Sequence, residues 1–449
     1  MIKTMITIGP RSCNAADIKL FAQQSTLFRL NGSHSDLKWH EDAIKLIRST
    51  CPQAFIMLDV PGIKPRTANK KIVHIEKGEK VIFGKFTQFS SQKLIELTKP
   101  LPEYSKNLKT FSVNDGQFLF DVCDGDDDFI VGSSRESFEL LTKKGLNIPE
   151  SIYDEQEQYR IYHDFIEKVS HLDVSALGLS FVQTGELISE IRRLTDLLLI
   201  SKVENSEGLR NVGSIAAVSD AIMIDRGDLV AEIGFENLFS GVEEIAQVTK
   251  SYGRPLIMAT ENLESMTERD VPSKSEVISL AHSAKIGVDC FMLSEETAVS
   301  ENKHVIVQWL ADFLSNEIPY QPVLGQIKIG KYKLIWEALA GFSDLPAIIA
   351  SKSGYAMFDF LSFKPNSEFT IVTNSKKIEQ IIKLYRQDIN VIMKDFENIP
   401  SNQILNSVVS ENHKELFTSS DQLLGIYVSN YLKIARANTL SIFDRTDYE

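Results

Sequence analysis

The stretch LLLISKVENSEGLRNVGSIAAVSDAIMIDRGD (197–228) contains two apolar runs, and each is followed within a few residues by an acid. The first run carries Lys202 near its end and is followed by Glu204, whereas the second leads to Asp228. Carboxylates are hard oxygen ligands that suit Mg²⁺, and a nearby lysine supplies a point charge for an anion that the metal also touches. The stretch therefore predicts metal-assisted chemistry on a phosphate or an enolate.

Apolar runs of this kind occur eight times along the chain, and segments with helical periodicity lie between most of them. The helical segments include residues 14–24, 35–50, 235–252 and 275–287. Strand and helix alternating eight times favour an α/β fold, a parallel (β/α)₈ TIM barrel. An open doubly wound sheet is the alternative, because apolar runs alone do not show closure. The eight runs are MITIG (5–9), TLFRLN (26–31), AFIMLDV (54–60), ALGLSFV (176–182), LLLISKV (197–203), AIMIDRG (221–227), PLIMAT (255–260) and CFMLSEE (290–296).

Polar residues and glycines indicate where several of these helices begin and end. Asn14 and Ser35 are predicted N-caps, because their side-chain oxygens can accept hydrogen bonds from the free backbone N–H groups of a first turn. Gly253 and Gly287 are predicted to follow helix C-termini, since glycine tolerates the left-handed backbone found there.

The gap between the third and fourth apolar runs is too long for one strand–helix unit. Residues 68–153 show period-two alternation with glycine-bearing turns, as in KIVHIEKGEKVIFGKF (71–86), and this pattern predicts an inserted small β domain. The acid run at 124–128 suggests an EF-hand loop, but Phe129 stands where that loop needs glycine. We therefore expect a solvated hairpin turn.

The strand-and-helix pattern restarts after about Pro319, with three segments that read as parallel strands. They are PAIIASKSG (346–354), EFTIVTN (368–374) and INVIMK (389–394). The predicted organisation is a barrel in two parts (1–67 and 154–319), the inserted β domain (68–153) and a C-terminal α/β domain (320–449).

A glycine–lysine sequence at 325–331, GQIKIGK, resembles a phosphate-binding Walker motif. Tyr332 stands where that motif needs a serine or threonine for Mg²⁺, and no strand pattern precedes the first glycine. A phosphate loop is therefore not predicted at this position.

Composition excludes several classes of protein. Acids outnumber Lys and Arg by 61 to 48, which gives a formal charge of −13 and disfavours binding to nucleic acid or an anionic membrane. The chain has neither a signal-peptide pattern at its start nor the roughly 18 uninterrupted apolar residues of a membrane span. Four widely separated cysteines indicate reduced thiols, so a cytoplasmic protein without structural zinc is expected.

Catalytic groups of TIM-barrel enzymes lie at the C-terminal ends of the strands, which face a common mouth. An isolated glutamate after a strand is more often a solvated loop residue. Here, however, two carboxylates, two cations and several hydroxyl or amide groups follow different strands. The residues that this rule gathers are Arg29, Asn31, Ser33, Asp59, Ser180, Lys202, Glu204, Asp228 and Thr260.

The same segments resemble, in order, the signature segments of the pyruvate kinase family. The resemblance extends over nearly the whole chain and is strongest across residues 1–310. It implies a barrel domain, a small β-barrel lid inserted into it, and a C-terminal domain used in assembly and regulation. The segments are RLNGSH (29–34), LDVPGIKPRT (58–67), NDG (114–116), KKGLNIP (143–149), SKVENSEGL (201–209), DRGDLVAEI (225–233), MATENLESM (258–266) and MLSEETA (292–298).

The resemblance implies phosphoryl transfer from phosphoenolpyruvate to ADP, giving pyruvate and ATP as the last step of glycolysis. Glu204 and Asp228 match the ligands of a divalent cation, Mg²⁺ or Mn²⁺. Lys202 matches the lysine that faces the transferred phosphoryl group, and Arg29 matches the arginine that binds the same phosphate. Thr260 matches the threonine associated with enolate protonation. The implied substrate-binding set is Arg29, Lys202, Gly227, Asp228 and Thr260.

Further residues match nucleotide contacts, some of them on the lid, whose closure would exclude water and strengthen charge interactions. These residues are Asn31, His34, Arg66, Asp115, Lys143 and Lys144.

A monovalent-cation site is also implied, formed by Asn31, Ser33, Asp59 and Val60. Lys64 stands where potassium-dependent members of the family carry glutamate. A lysine ammonium can supply the positive charge that K⁺ otherwise provides near Asn31, Ser33 and Asp59. We therefore expect that K⁺ is not required, although an ordinary surface lysine is the alternative.

Regulation and assembly are implied by the C-terminal segment. SKSGYA (351–356) resembles a loop that binds a sugar-phosphate effector, with Ser351, Lys352, Ser353 and Gly354 as the candidate contacts. A plain strand-to-helix turn is an equal alternative. The family resemblance also implies a homo-oligomer, a dimer or tetramer, although Lys274 replaces an arginine usual at the subunit contact.

Several departures from the family pattern leave other functions open. Glu261 and Glu295 add negative charge near an anionic substrate, and Gln183 replaces a frequent arginine. The alternatives are a catalytically weak or non-catalytic paralogue with a regulatory role, and a Mg²⁺-dependent pyruvate or enolate lyase on the same barrel. Retention of Lys202 and both predicted metal ligands favours the kinase.

Overall fold

Eight parallel strands form a closed barrel in the computed structural model, which describes residues 1–84, 93–316, 345–363, 369–386, 388–396, 399–427 and 439–448. The first strand pairs with both the second and the eighth, through Met5 opposite Leu27 and opposite Met292. This pairing closes the sheet and confirms the barrel over the open sheet. In chain order the barrel strands are Lys3–Thr7, Leu27–Asn31, Phe55–Val60, Ala176–Leu179, Leu198–Val203, Ala221–Asp225, Leu256–Ala259 and Cys290–Leu293.

The barrel strands are apolar along their length because both of their faces are covered. Met5, Leu27 and Phe55 belong to the cluster of buried residues inside the barrel, whereas their neighbours Ile6 and Phe28 pack under the surrounding helices. The helices are Ala15–Phe21, Leu37–Thr50, Glu155–Val169, Gly185–Ile191, Ser206–Arg210, Val212–Val218, Arg226–Ile233, Phe235–Ser251, Lys274–Lys285, Glu295–Ala298 and Lys303–Ser315, with a 3₁₀ turn at Glu264–Thr267.

Helix ends follow the expected chemistry with one difference. The Asn14 side chain accepts from Asp17 N at 3.0 Å, as an N-cap should. At the second helix the cap is Asp36, which accepts from Trp39 N at 2.8 Å, so the assignment of Ser35 was one residue early. Ser35 instead has a φ of 66°, which is part of the turn into the helix. Gly253 and Gly287 follow their helices with φ of 63° and 99°, as predicted.

The insert between the third and fourth barrel strands contains two sheets around one core. A six-stranded sheet and a two-stranded sheet both contribute to the cluster that includes Phe83, Phe111, Phe120 and Phe138. No continuous ladder joins the two sheets across the described part of the insert, so it differs in this respect from the small β-barrel that was expected. Its strands are Val73–Ile75, Lys80–Gly84, Lys93–Glu96, Thr110–Val113, Phe118–Gly125, Phe129–Ser134, Phe138–Leu140 and Leu146–Asn147.

The acid run at 124–128 is a hairpin turn between two of these strands. Asp126 Oδ1 accepts from Asp128 N at 2.8 Å and from Phe129 N at 3.1 Å, so this carboxylate caps the turn. The hairpin prediction is therefore confirmed.

A five-stranded sheet forms the C-terminal part of the chain. The three predicted strands are parallel neighbours, whereas two further strands, Gln422–Tyr427 and Thr439–Asp444, were not predicted. The GQIKIGK segment (325–331) and the boundary near Pro319 lie outside the described residues. The predicted strands correspond to Ala347–Ala350, Phe369–Thr373 and Ile389–Met393, and the helices are Tyr355–Phe363, Lys376–Ile381 and Ser401–Leu416, with 3₁₀ turns at Ile382–Leu384 and Arg445–Asp447.

The interior of the barrel and one side of the C-terminal sheet form a single buried cluster, which we call the shared core. It includes Met5 and Phe55 from the barrel and Ile349 and Phe360 from the C-terminal part. Polar contacts reinforce this junction, since the Tyr385 hydroxyl donates to Gly253 O at 2.6 Å. Among the described helices, none combines the length and the apolar character needed to cross a membrane.

Candidate functional site

Lys202 lies at the centre of the barrel mouth, near the end of the fifth barrel strand. Its Nζ is 3.1 Å from Glu204 Oε2, 3.3 Å from Asp225 Oδ2 and 3.9 Å from Asp59 Oδ2. Burial alone would lower the pKa of Lys202, but these carboxylates raise that pKa above its ordinary value. Lys202 is therefore a charged ammonium held in a protected site.

Arg29 lies beside Lys202 and shares the carboxylate of Asp59 with it. Arg29 Nε donates to Asp59 Oδ2 at 3.1 Å, a second guanidinium nitrogen binds the same oxygen, and Nη1 is 3.4 Å from Thr7 Oγ1. Both Arg29 and Asp59 are buried. The mouth thus brings together two cations, from the second and fifth strands, that could bind one phosphate.

Three carboxylates, Glu204, Asp225 and Asp228, form a compact cluster whose ligand atoms lie within 4.8 Å of one another. Burial raises the pKa of Glu204 well above its ordinary range, although Lys202 opposes this shift. Among the described residues, Glu204 Oε2 is buried without a hydrogen-bond partner, although the Lys202 ammonium forms an ion pair with it at 3.1 Å. Buried hard oxygen donors short of partners fit a divalent cation such as Mg²⁺ or Mn²⁺.

Asp225 is the member of this cluster that sequence reasoning missed. It ends the sixth barrel strand, so the rule that strand C-termini face the mouth already included its position. The predicted metal ligand was Asp228, three residues later, which lies in the first turn of the helix Arg226–Ile233. A carboxylate in the first turn is favoured by the helix dipole.

Lys64 lies against Asp228 and reaches the inserted domain. It donates to a carboxylate oxygen of Asp228 and, at 2.9 Å, to Asp115 Oδ1 in a turn of the insert. The Lys64 ammonium lowers the pKa of Asp115, while burial raises the pKa of Asp228 against the opposing effect of Lys64. One lysine therefore connects a candidate metal ligand to the inserted domain.

Thr260 follows the seventh barrel strand with a φ of 59°, a left-handed conformation that is unusual for a β-branched residue. Its Oγ1 is 3.0 Å from Asp225 Oδ1 and accepts from Gly227 N at 3.2 Å. Arg226 supports the same backbone by donating to Thr260 O at 2.6 Å. The hydroxyl of Thr260 is therefore held at the mouth beside the carboxylate cluster.

The residues expected to contact a nucleotide lie on the same side of the mouth. Arg66 Nη1 donates to Lys143 O at 3.2 Å, which brings the third-strand loop to the insert. Burial lowers the pKa of His34, and the nearby charges of Arg66, Arg29 and Lys143 lower it further. His34 is therefore neutral near pH 7. The backbone of Lys144 pairs with Thr67, through Lys144 N to Thr67 Oγ1 at 3.0 Å.

Hydrogen bonds that involve backbone atoms join the segments expected to form the monovalent site. Asn31 Oδ1 accepts from Ser33 N at 3.0 Å, and Gly32 N donates to Asp59 O at 3.1 Å. Val60 is buried at the end of the third strand. Across the described chain Lys64 forms ion pairs with Asp115 and Asp228 and none with Asp59. Its charge therefore lies beside Asp228 of the carboxylate cluster, and not beside Asp59 as expected from the comparison with K⁺.

Glu232, on the same helix as Asp228, ties that helix to the chain that returns from the insert. Asn147 Nδ2 and the Tyr153 hydroxyl donate to Glu232 Oε1 at 3.5 Å and 3.3 Å, and Glu150 N donates to Glu232 O at 3.4 Å. Burial raises the pKa of Glu232 to about 8. Gln183 binds both the backbone N–H and the carbonyl of Tyr153. The glutamine that replaces the family's arginine therefore has a structural role here.

Two acids that depart from the family pattern lie at the rim. Burial raises the pKa of Glu261, although Arg226 opposes this effect. The negative charge of Glu295 partly opposes the lowering of the His34 pKa described above. Both side chains therefore belong to the surroundings of the site.

The loop at 351–354 lies in the C-terminal part, at the start of the helix Tyr355–Phe363. Ser351 Oγ accepts from Gly354 N at 3.0 Å, and Lys352 Nζ donates to Phe396 O at 3.2 Å. Gly354 has a φ of 83°, which glycine adopts without strain. Ser351 therefore stabilises the turn, while Ser353 and Lys352 are exposed.

Comparison with known proteins identifies relatives across most of the chain. A family model described as pyruvate kinase, barrel domain, matches residues 1–304. Pyruvate kinase from Encephalitozoon cuniculi is 32% identical over 309 residues, which cover 67% of this chain and 71% of that protein. Pyruvate kinase from Aeropyrum pernix is 25% identical over 417 residues, covering 85% and 86% of the two chains.

The fold also has a solved counterpart. The crystal structure of a pyruvate kinase from Cryptosporidium parvum superimposes with a TM-score of 0.78 at 23% identity, and the match covers 99% of this chain and 96% of that one. At this identity the likeness establishes the fold, including domains in addition to the barrel.

Proposed function

Because the chain belongs to the pyruvate kinase family, we propose that it transfers the phosphoryl group of phosphoenolpyruvate to ADP. The observation that carries this proposal is the convergence of Lys202 and Arg29 with the carboxylates Glu204 and Asp228 at one barrel mouth. Phosphoryl transfer depends chiefly on positioning and on neutralising the charge of the phosphate in flight, and this arrangement supplies both.

Lys202 and Arg29 act on the phosphate of the substrate. The bond between phosphorus and the enolate oxygen breaks while a terminal oxygen of ADP bonds to phosphorus. The two cations neutralise the negative charge on the phosphoryl oxygens during this exchange. Both side chains are buried and already held by Asp59, so they need little reorganisation when the substrate binds.

Glu204 and Asp228 are the residues that would hold Mg²⁺ or Mn²⁺. When bound there, such an ion supplies positive charge that stabilises the enolate oxygen as the phosphoryl group leaves. Asp228 would exchange its contact with Lys64 for this ligand role.

Thr260 orients the protonation of the enolate. The carbon of the enolate takes up one proton to become the methyl group of pyruvate, and a water molecule beside the Thr260 hydroxyl is the donor. A hydroxyl is a poor acid by itself, so Thr260 acts as a relay or orienter. Asp115 on the insert, linked to Lys64, brings the lid over the mouth and excludes bulk water.

The nucleotide binds between the third-strand loop and the insert in this proposal. Arg66, Lys143 and Lys144 offer positive charge for the ADP phosphates, and neutral His34 and Asn31 offer hydrogen bonds. The Lys64 ammonium takes the place of K⁺ in the charge balance of the mouth.

Regulation and assembly are further parts of this proposal. The exposed Lys352 and Ser353, together with the Gly354 backbone, form an anion site for a sugar phosphate. Self-association would cover an apolar surface on two neighbouring barrel helices, where Phe235, Phe239 and Ile278 are 76%, 61% and 70% exposed.

A coupled assay tests the function directly. The purified protein is incubated with phosphoenolpyruvate, ADP and Mg²⁺, and pyruvate and ATP are measured separately. We expect equal amounts of both products and no turnover after chelation of the metal. Pyruvate without matching ATP would show that the phosphoryl group goes to water and not to ADP. No product with either Mg²⁺ or Mn²⁺ would indicate a non-catalytic relative or a lyase that acts on another substrate.

A further inference from the structure

Asp225 contacts residues on both sides of the site. Its strand, Ala221–Asp225, lies between the strand of Lys202 and the strand that precedes Thr260. Asp225 Oδ2 is 3.3 Å from Lys202 Nζ, and Asp225 Oδ1 is 3.0 Å from Thr260 Oγ1. The side chain is buried, so these two contacts take place away from bulk solvent. One carboxylate therefore spans three adjacent strands.

The contact with Lys202 would persist when a metal is bound. Glu204 is the nearest carboxylate to Lys202, but its oxygens would turn to the metal, and Asp59 is already engaged by Arg29. Asp225 is the remaining ion-pair partner of Lys202 within the described residues. It therefore fixes the ammonium where the phosphoryl group passes.

The contact with Thr260 sets the direction of the hydroxyl. Gly227 N donates to Thr260 Oγ1, so that oxygen already accepts one hydrogen bond. The hydroxyl hydrogen can go to Asp225 Oδ1 or to Ala259 O, which is 2.8 Å away. A hydrogen bond to a carboxylate is the stronger of the two. The remaining lone pair of Thr260 then faces the mouth, where it can accept from a water molecule.

We propose that Asp225 is a positioning residue that holds Lys202 and Thr260 in a fixed relation, and so couples phosphoryl transfer to enolate protonation. This inference rests on the proposed function. In the transfer step the phosphorus–oxygen bond to the enolate breaks and a bond to ADP oxygen forms. In the protonation step water gives its proton to the enolate carbon, and a proton from solvent restores the water. Asp225 touches neither reacting atom.

The test separates the two steps in Asp225→Ala and Asp225→Asn. Turnover with phosphoenolpyruvate and ADP reports the whole reaction, while exchange of the pyruvate methyl protons with D₂O, followed by NMR with Mg²⁺ and inorganic phosphate, reports protonation alone. We expect both variants to lose at least about tenfold in methyl exchange, with the KM for phosphoenolpyruvate changed less than about threefold. Adding Thr260→Val to Asp225→Ala should cause little further loss, because coupled residues are not additive.

Three outcomes would overturn the proposal: unchanged methyl exchange in both variants, additive losses in the double variant, or a tenfold weaker binding of Mn²⁺ by calorimetry. The last result would make Asp225 a metal ligand. Circular dichroism melting identifies any variant that fails to fold, and Asp225→Asn keeps the size of the side chain. If the wild-type protein forms no ATP but exchanges methyl protons through Asp225, the proposed function and the coupling both fail, while the positioning of Thr260 by Asp225 stands.

Discussion

Lys64 donates hydrogen bonds to Asp228 and to Asp115, so one ammonium joins a candidate metal ligand to the inserted domain. The Lys64 side chain is 3% exposed, and its charge is therefore little screened by solvent. The pKa of Lys64 is raised above its ordinary value, because the two carboxylates outweigh the opposing effect of burial. A positive charge is thus held between Asp228 and the inserted domain.

The first prediction concerns potassium. We expect KCl to change the turnover of the wild-type protein by less than about twofold, because Lys64 already supplies the charge. Lys64→Gln should lose more than about tenfold in potassium-free buffer and regain part of this loss in KCl, at ~1.4 kcal/mol per tenfold. Steady-state assays with and without KCl measure both effects.

Lys99→Gln is the matched control for Lys64→Gln. Lys99 donates to Gly62 O at 2.8 Å, so it contacts the same loop without reaching the carboxylates of the mouth. We expect this control to remain insensitive to KCl. A large activation of the wild-type protein by KCl would show that Lys64 does not replace the ion.

The second prediction concerns the ammonium at the centre of the mouth. Lys202→Met removes the charge and keeps most of the aliphatic stem, so turnover should fall by about three or more powers of ten, or ~4 kcal/mol. The KM for phosphoenolpyruvate should change less, because the charge matters most while the phosphoryl group is in flight. Steady-state kinetics in the coupled assay measure both constants.

Lys250→Met is a suitable comparison, because Lys250 is also buried and paired with an acid, Asp289. Asp289 immediately precedes the eighth barrel strand, at the end opposite the mouth. This variant should lower the melting temperature while leaving turnover at low temperature within about threefold of wild type. Equal loss of turnover in both variants would mean that Lys202 is structural.

The third prediction concerns pH and stability. Burial raises the pKa of Glu232 to about 8 from an ordinary value of 4.5, so the folded protein holds a proton that the unfolded chain releases. Stability therefore falls as pH rises between these two values, by up to ~1.4 kcal/mol per pH unit from this group. Glu232→Gln lacks the titration, so its unfolding midpoint should improve relative to wild type as pH rises across this range.

Denaturant unfolding of the two proteins at several pH values measures this difference. Glu244→Gln, on an exposed part of the helix Phe235–Ser251, should show no comparable trend. A difference between wild type and Glu232→Gln that does not vary with pH would mean that Glu232 is charged in the folded protein.

The fourth prediction concerns the loop at 351–354. Fructose bisphosphate should raise the melting temperature of the wild-type protein, because a phosphate would bridge Lys352 and the backbone N–H groups at the start of the next helix. Lys352→Ala should remove most of this shift, whereas Lys376→Ala, an exposed lysine of the same sheet region, should retain it. Equal shifts in all three proteins, or none, would indicate a plain structural turn.

The positions of the barrel strands were predictable because strands covered on both faces are apolar throughout. Closure was favoured correctly by the eightfold alternation, but the apolar runs alone did not show it, because the pairing of Met5 with Met292 joins distant parts of the chain. The strand Gln422–Tyr427 was missed because its apolar run is short and Gly425 interrupts it. It pairs with Ala347–Ala350, and its residues Leu423 and Leu424 are buried in two different clusters.

The candidate site was likewise predictable only in part. Positions after strand ends indicated the mouth, and the family resemblance suggested which residues to consider, but neither gave side-chain directions. Asp225 lies between Lys202 and Thr260, and only coordinates show that its two oxygens contact both. Similarly, the contact of Lys64 with Asp228 depends on how the third-strand loop folds over the mouth.

The shared core constrains how the C-terminal sheet can diverge. Along the strand Ala347–Ala350, Ile349 belongs to the shared core, whereas Ile348 and Ala350 belong to the separate cluster that includes residues of the helix Ser401–Leu416. A mutation at Ile348 or Ala350 affects a cluster confined to the C-terminal part, while a mutation at Ile349 affects the core that this part shares with the barrel. Random drift during evolution should therefore accumulate on alternate residues of the same strand, and a graft of a foreign C-terminal domain would succeed only with its barrel-facing residues retained.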